Sequence, residues 1–515
     1  MLVNDFLLNS FYDFPDKEAL VCSKERFTYE ELNKKAENLS NFLLSLNVLK
    51  SDRVMIFLEN SLESVVSIFG ILNAGGVFIV VNPLVKSKKL QYMINDSQTK
   101  ILITDQKHFD QIKDTVNVCP SLQAVLLVDK IGEESNYDLE NIDVFSFYDS
   151  NKSISNHTFP EIIDVDLASI IYTSGSTGFP KGVTLTHRSM VFAADSIISY
   201  LNNRSDDVIF NVLPLSFDYG LYQVLMAFRF GGTIVLEKSF GFPHQLFTRL
   251  SEEKATGFPI VPTIANLMLR IRDFEKYDFS HLRYITNTAQ RLPKKTIFSL
   301  MKAFPDVQIF SMYGLTECKR VSYLPPEKLS NKPESVGQAI PGTEVFIVDE
   351  RSKRIDKPGV VGELVVRGSH IMNGYWNKPE ETNKIIKQGM YPGDKWLFTG
   401  DYFSMDEEND LYFCGRKDDM IKTSGEKISP KEIENVIYEL DDVEEVAVIG
   451  LADELLGEAV KAFVSLRKDS DLDENKILHY CSKRLERYMV PKYVEFLDRL
   501  PKTVTGKIRK KDLKD

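Results

Sequence analysis

An α/β fold of layered sheets and helices, holding a small β-rich unit and followed by a small α+β domain, is what three patterns in this chain predict. Helical and extended stretches alternate along most of the 515 residues. Between Gly337 and Tyr412 they give way to short apolar runs set between Gly, Pro and Asp turns. After the polar "RKDD" of 416–419 the alternation resumes. A chain of this length is also too long for one core, so two or more domains are expected.

Each element has its own signal. "TYEELNKKAENLSNFLLSL" opens with Thr28 as N-cap and Glu31 three residues on, a capping box. "DRVMIFL", "GVFIVV" and "KILITD" read as short buried strands, and their alternation with helices implies a parallel sheet. The longest apolar run, residues 65–81, is broken by Asn73 and the Gly75–Gly76 pair. It reads as a helix, a turn and a strand, not as a membrane span. "EVFIVDE", "GELVVRG" and "LYFCG" build the β-rich unit, while "EVAVIGL", "VKAFVSL", "KILHYCSKRL" and "YVEFL" carry β-α-β texture. The polar segment between them marks a boundary, giving domains 1–416 and 417–515. No solenoid repeat or low-complexity tract is present.

Composition narrows the function. A formal charge of −11 argues against a general nucleic-acid binder, whose affinity rests on neutralising phosphates. The five cysteines (22, 119, 318, 414 and 481) are scattered, with no C-x-x-C pair, as expected in a reducing compartment. The seven histidines fall at no metal-binding spacing. Asp5 and Asp13 stand where a signal peptide would need basic and then apolar residues. A cytoplasmic protein is expected.

The chemistry sits in polar islands. "YTSGSTGFPKGVTLTHR" (172–188) gathers glycines, serines and threonines around one lysine. Glycine lets the backbone approach an anion, and successive N–H groups and hydroxyls can surround it. The common P-loop has its lysine directly after the last glycine. Here Phe179 and Pro180 separate Gly178 from Lys181. Four more islands follow: "MYGLTE" (312–317), "TGD" (399–401), "GRKDD" (415–419) and "PKTVTGKIRKK" (501–511). Singly each is an ordinary turn or cap; their order is what carries weight.

In that order they resemble the adenylate-forming superfamily of acyl- and aryl-CoA ligases, stand-alone amino-acid adenylating enzymes and firefly-type luciferases. The resemblance runs from about Phe27 to Lys510. It implies an ATP-binding first domain, a mobile lid as the second, and Mg²⁺ as cofactor. By the same resemblance Thr173, Ser174, Gly175, Ser176, Thr177, Gly178 and Lys181 hold the pyrophosphate that leaves ATP. Tyr313 and Gly314 would lie against adenine, with Asn287, Thr288 and Ala289 as the opposite wall. Thr316 would touch the α-phosphate and Glu317 would hold Mg²⁺. Asp401 would accept the ribose hydroxyls, assisted by Arg416. Lys507 would bridge carboxylate and α-phosphate as the catalytic lysine. Asp418 would be the hinge, and Gly425 would lie beside an incoming pantetheine. Lys427 departs from the arginine of many relatives, which loses a bidentate fork.

The substrate signal is "LPLSFDYGLYQ" (213–223), where many acyl- and aryl-CoA ligases have Phe-His-x-x-Gly. Here Asp218 follows Phe217, as in amino-acid adenylating domains whose aspartate pairs with the α-amino group, and Tyr222 lies one helical turn on. A small amino acid such as proline, loaded onto a phosphopantetheinylated carrier protein, is the reading this implies. The alternative is a CoA ligase for a short or branched carboxylic acid, in which Asp218 only caps its helix. A luciferase-like monooxygenase and an inactive nucleotide-binding regulator stand further off.

Overall fold

The structure is a computed structural model that describes residues 1–129, 137, 139, 141–152, 157–173, 180–238, 241–271, 276–288, 291–417, 419–423, 426–453, 457–468, 470–503 and 508–513. Among these residues four sheets form. The first has six parallel strands at its centre, in the order Gln308–Tyr313, Tyr284–Asn287, Gly257–Ile260, Val208–Asn211, Thr233–Leu236 and Glu18–Cys22. The second runs Gly374–Tyr375, Lys181–Thr186, Leu167–Thr173, Val77–Val80, Arg53–Phe57, Ile101–Thr104, Ala124–Leu127 and Asp143–Ser146. It is parallel from Leu167–Thr173 onward and antiparallel before it.

Why these strands are apolar throughout is visible in their burial. Val54 and Ile56 face one core while Met55 and Phe57 face another, so both faces are covered and the usual polar alternation disappears. Helices Leu62–Asn73 and Asp218–Phe230 join the larger core and touch through Phe69 and Phe228, whose rings are 5.4 Å apart. The capping box at Thr28 forms: Glu31 N–H donates to Thr28 Oγ1 (3.2 Å) and Thr28 N–H to Glu31 Oε2 (2.9 Å). The run 65–81 divides as its glycines require, with Gly75 at φ +78° between helix and strand.

The β-rich unit is a six-stranded antiparallel sheet built around Gly362–Arg367 and Lys395–Met405. A separate five-stranded sheet begins at Ile421, with its own core of Ile433, Ile437, Val446, Val448, Val464 and Ile477. Its two long strands, Val443–Asp453 and Gly457–Leu466, pair antiparallel, so the first part of the expected β-α-β texture is a hairpin. The remainder is a true β-α-β unit, with helix Glu474–Ser482 leading to Tyr493–Phe496 parallel to Gly457–Leu466. This part meets the rest of the chain through Arg270–Glu444, Lys295–Asp441 and an Arg291–Asn435 hydrogen bond of 3.2 Å.

Inside that last unit Glu434 is buried, and it ties the chain's end to the helix Pro430–Tyr438. Its carboxylate meets Lys510 Nζ at 2.7 Å, Lys431 Nζ at 3.0 Å and the Val448 N–H at 3.0 Å. Burial pushes its pKa up, but Lys510 and Lys431 outweigh burial and hold it at about 2. A folded pKa below the unfolded value gives stability that is full above about pH 4.5 and lost as pH falls toward 2, worth about 3 kcal/mol. Glu434→Gln is therefore expected to lower the urea midpoint of this unit at pH 7, with the gap to wild type narrowing at pH 3. An equal gap at both pH values would refute the assignment.

Candidate active site

The sheet positions the site. Asn287 and Tyr313 end two adjacent parallel strands, in register through Asn287 and Ser311. Carboxyl ends of parallel strands are where open α/β sheets bind ligands, since the loops there diverge. From Tyr313 the chain turns sharply. Val321 N–H returns to Tyr313 O at 2.9 Å, and a Cβ on Gly314 would fall 2.0 Å from Lys319 O, so only glycine fits. The turn leaves Tyr313 to Glu317 half-buried, as the wall of a cleft should be.

Tyr313, Asp401 and Arg416 come together. Tyr313 donates its hydroxyl to Asp401 Oδ2 at 2.5 Å, and Arg416 meets Asp401 Oδ1 at 2.9 Å. Asp401 and Arg416 are cross-strand partners, so the pairing is a product of strand register. Burial, and then the Asp401 carboxylate, drive the Tyr313 phenol well above its usual pKa, which keeps it a donor. Asp401 itself is buried, with its N–H on Thr399 Oγ1.

A second group lies along the same turn. Glu317 Oε1 accepts from the Tyr375 hydroxyl at 2.7 Å, and Met372 N–H donates to Glu317 O at 2.7 Å. Lys181 Nζ sits 5.1 Å from the Tyr375 ring centre and 2.5 Å from Glu381 Oε2. Tyr375 thus connects the lysine to the acid. The strand pair Gly374–Tyr375 and Lys181–Thr186 makes the link, supported by Trp376 N–H on Gly182 O at 2.7 Å. Tyr375 and Glu381 were not among the residues expected from sequence. Their only signal is an aromatic pair, "GYW", in an otherwise polar loop.

The third group is on the helix Asp218–Phe230. Its start packs on the backbone of residues 213–214, where a Cβ on Gly220 would lie 2.4 Å from Pro214 O. Tyr219 anchors it to Thr286 by a hydroxyl contact of 2.6 Å. Phe217 is the N-cap residue, and Asp218 makes no side-chain cap bond, so the capping role is not seen. Asp218 Oδ2 instead faces Lys319 Nζ at 3.7 Å, and that ammonium lies 5.1 Å from the Tyr222 ring centre. Burial, only partly offset by Asp218, lowers the Lys319 pKa to about 8. Sequence reasoning missed Lys319, which reads there as one more turn residue.

The other expected residues are placed as follows. Asn287 and Thr288 are buried at their strand end, and Thr316 is half-buried in the turn. Thr173 ends its strand, its hydroxyl 3.5 Å from Lys181 O. Ser174, Gly175, Ser176, Thr177, Gly178, Ala289, Asp418, Gly425 and Lys507 lie outside the described residues, as does the side chain of Lys427. Among the described residues no cluster of three or more His, Cys, Asp or Glu could hold a metal ion, and no helix is long and apolar enough to cross a membrane.

Comparison with known proteins now fixes the class. Residues 9–376 match the AMP-binding enzyme family, and residues 432–507 match the AMP-binding enzyme C-terminal domain. A long-chain-fatty-acid–CoA ligase of Bacillus subtilis (strain 168) is 31% identical, over 99% of this chain and 94% of its own. One of Escherichia coli O157:H7 is 32% identical over the same shares. Among solved structures, the anthranilate CoA ligase AuaEII in complex with anthranoyl-AMP has a TM-score of 0.89 at 27% identity, covering 100% of this chain and 96% of that one. ATP-bound MatB from Rhodopseudomonas palustris has 0.87 at 27% identity, covering 100% and 98%. Fold and relatives are those of an AMP-forming acid–thiol ligase, an α/β enzyme with a separate small C-terminal domain. The chain belongs to the AMP-binding enzyme family.

Proposed function

We propose that this chain is a cytoplasmic ligase that joins a small carboxylic acid to the thiol of CoA through an acyl-adenylate. The observation that carries the reading is the alignment of two groups along one turn: Tyr313, Asp401 and Arg416 at one end, and Glu317, Tyr375 and Lys181 at the other. In the first step a carboxylate oxygen attacks the α-phosphorus of ATP, the bond to the bridging oxygen of the β-phosphate breaks, and pyrophosphate leaves. In the second the thiol sulfur attacks the acyl carbon and AMP leaves. Asp401 accepts the ribose hydroxyls, and Tyr313 lines adenine opposite residues 287–289. Lys181 releases Glu381 to meet the pyrophosphate, together with Thr173 and the loop 174–178. Electrostatic stabilisation of this kind is the largest single term in many enzymes.

Glu317 fits Mg²⁺, which takes one carboxylate and completes its shell from phosphate oxygens and water. When bound, the ion would offset charge on the phosphates. Thr316 contacts the α-phosphate, and Lys507 bridges it to the carboxylate. Domains 1–416 and 417–515 move about Asp418 between the two steps, and Gly425 then lines the thiol arm. Exposed ion pairs such as Lys295–Asp441 support this, since solvent screens them and they resist the motion weakly. The five free thiols suit a reducing compartment.

Asp218 favours a second reading, an amino acid such as proline loaded onto a carrier protein, because its carboxylate stays 14% exposed and so open to a partner from outside the chain. Lys319 weighs against it, since an ammonium already faces that carboxylate. A pyrophosphate-exchange screen of short acids, proline, alanine and their des-amino analogues decides. Short acids are expected to drive exchange, with CoA capturing the product. If amino acids lead instead and Asp218→Ala costs them roughly 3–5 kcal/mol, the second reading replaces the first. No exchange with any acid would sink both.

A further inference from the structure

Two polar atoms beside Asp218 have no hydrogen-bond partner among the described residues: Lys319 Nζ and the Tyr222 hydroxyl. Both residues are more than nine-tenths buried, Lys319 at 7% and Tyr222 at 4% exposure. Asp218 is close but does not satisfy the lysine, since 3.7 Å is beyond hydrogen-bond reach. Nor is the lysine a stray surface residue folded inward. It holds a left-handed backbone at φ +64°, costly for a side chain of its size, two residues past Glu317 on the turn that lines the nucleotide cleft. A buried ammonium held only by a long ion pair, beside a buried phenol with no acceptor among the described residues, can still take a hydrogen-bond acceptor from outside the chain.

The charge balance says what that complement is. Asp218 and Lys319 already neutralise each other. An ammonium-bearing acid would place a second cation beside Lys319, and a diacid would place a second anion beside Asp218. A plain alkyl tail would leave both donors unpaired. A hydroxyl or oxo oxygen accepts from Lys319 Nζ and the Tyr222 hydroxyl without adding charge, and a hydroxyl can also donate to Asp218.

Resting on the ligase reading above, we propose that Lys319, Tyr222 and Asp218 form an oxygen-recognising wall of the acyl pocket, selecting a short acid with a neutral hydroxyl or oxo group on its chain. The wall sets specificity; it takes no part in bond making.

The test measures kcat/KM for adenylate formation by the full-length enzyme on matched C4 to C6 acids: unsubstituted, hydroxy and oxo at each position, the terminal diacid and the terminal amino acid. The best hydroxy or oxo acid is expected to exceed its alkyl parent at least about tenfold, as sites built to hydrogen-bond an oxygen reject analogues lacking it. Lys319→Met should erase that ratio while the KM for ATP stays at the wild-type value. Tyr222→Phe, which conserves volume, should reduce the ratio by about three- to tenfold, the scale of one lost buried hydrogen bond. Thermal unfolding identifies a variant that fails to fold, and the wild-type ranking is decisive without either variant. A wild type that prefers the alkyl, diacid or amino member overturns the proposal and leaves the ligase reading standing. Absence of pyrophosphate release with every acid overturns the ligase reading itself.

Discussion

Lys507→Ala is expected to slow acyl-adenylate formation by about 10²–10³-fold, the scale seen when a single group aimed at developing charge is removed. The charge it would neutralise appears as the carboxylate attacks the α-phosphorus, so the loss should fall on kcat more than on KM. Thioester formation from preformed acyl-adenylate should survive if, as proposed, that step uses the small domain in its other orientation. The substitution leaves the ion pairs of Lys510 with Glu434 and of Lys502 with Glu445 in place, so the unit should stay folded. Asp418→Pro provides the complementary arm. If Asp418 is the hinge, fixing its φ should spare pyrophosphate exchange and abolish thioester formation. Single-turnover assays of each half-reaction separate the outcomes. Equal loss in both half-reactions of Lys507→Ala would remove the lysine from the alternating role assigned to it.

Much of the scaffold was legible because its signals are local. Strands such as Arg53–Phe57 and Val77–Val80 are apolar without interruption since both faces are covered, and the capping box at Thr28 is written in two residues. The grouping of Tyr313, Asp401 and Arg416 was suggested by motif order alone; its physical cause is the register that sets Asp401 opposite Arg416. What stayed hidden is long-range. Tyr375 reaches Glu317 and Lys181 because a two-residue strand pairs with Lys181–Thr186 across nearly 200 positions of chain, and no periodicity records such a pairing. Lys319 was missed for a different reason. A lysine in a polar turn reads as solvated, and only the left-handed backbone turns it inward, which depends on the close approach that Gly314 permits. The same geometry sets a cation of the chain itself 3.7 Å from Asp218, a neighbour that no local sequence signal records.

Asp401→Ala is the substitution expected to weaken ATP most. Its carboxylate holds the Tyr313 hydroxyl at 2.5 Å and Arg416 at 2.9 Å, and its side chain is only 5% exposed. Removing it leaves the buried Tyr313 hydroxyl without its acceptor, a stability loss of roughly 1–3 kcal/mol, while Arg416, 55% exposed, can turn to water. Two different roles would produce that loss, and they separate by substrate. If Asp401 only braces Tyr313 and Arg416, unfolding should move to lower temperature and every nucleotide should suffer alike. If it also accepts the ribose hydroxyls, the wild type should discriminate strongly between ATP and 2′,3′-dideoxy-ATP, because a site built to hydrogen-bond a hydroxyl is left with unpaired groups when the hydroxyl is missing. Asp401→Ala should then erase that discrimination, raising the KM for ATP about 10²-fold or more while barely changing it for the dideoxy analogue. Tyr313→Phe sharpens the comparison, since it relieves the stranded phenol without touching the ribose. Combined with Asp401→Ala it should recover stability and leave ATP binding weak. Recovery of both together would show that Asp401 acts on the nucleotide only through Tyr313, and the ribose assignment would fall.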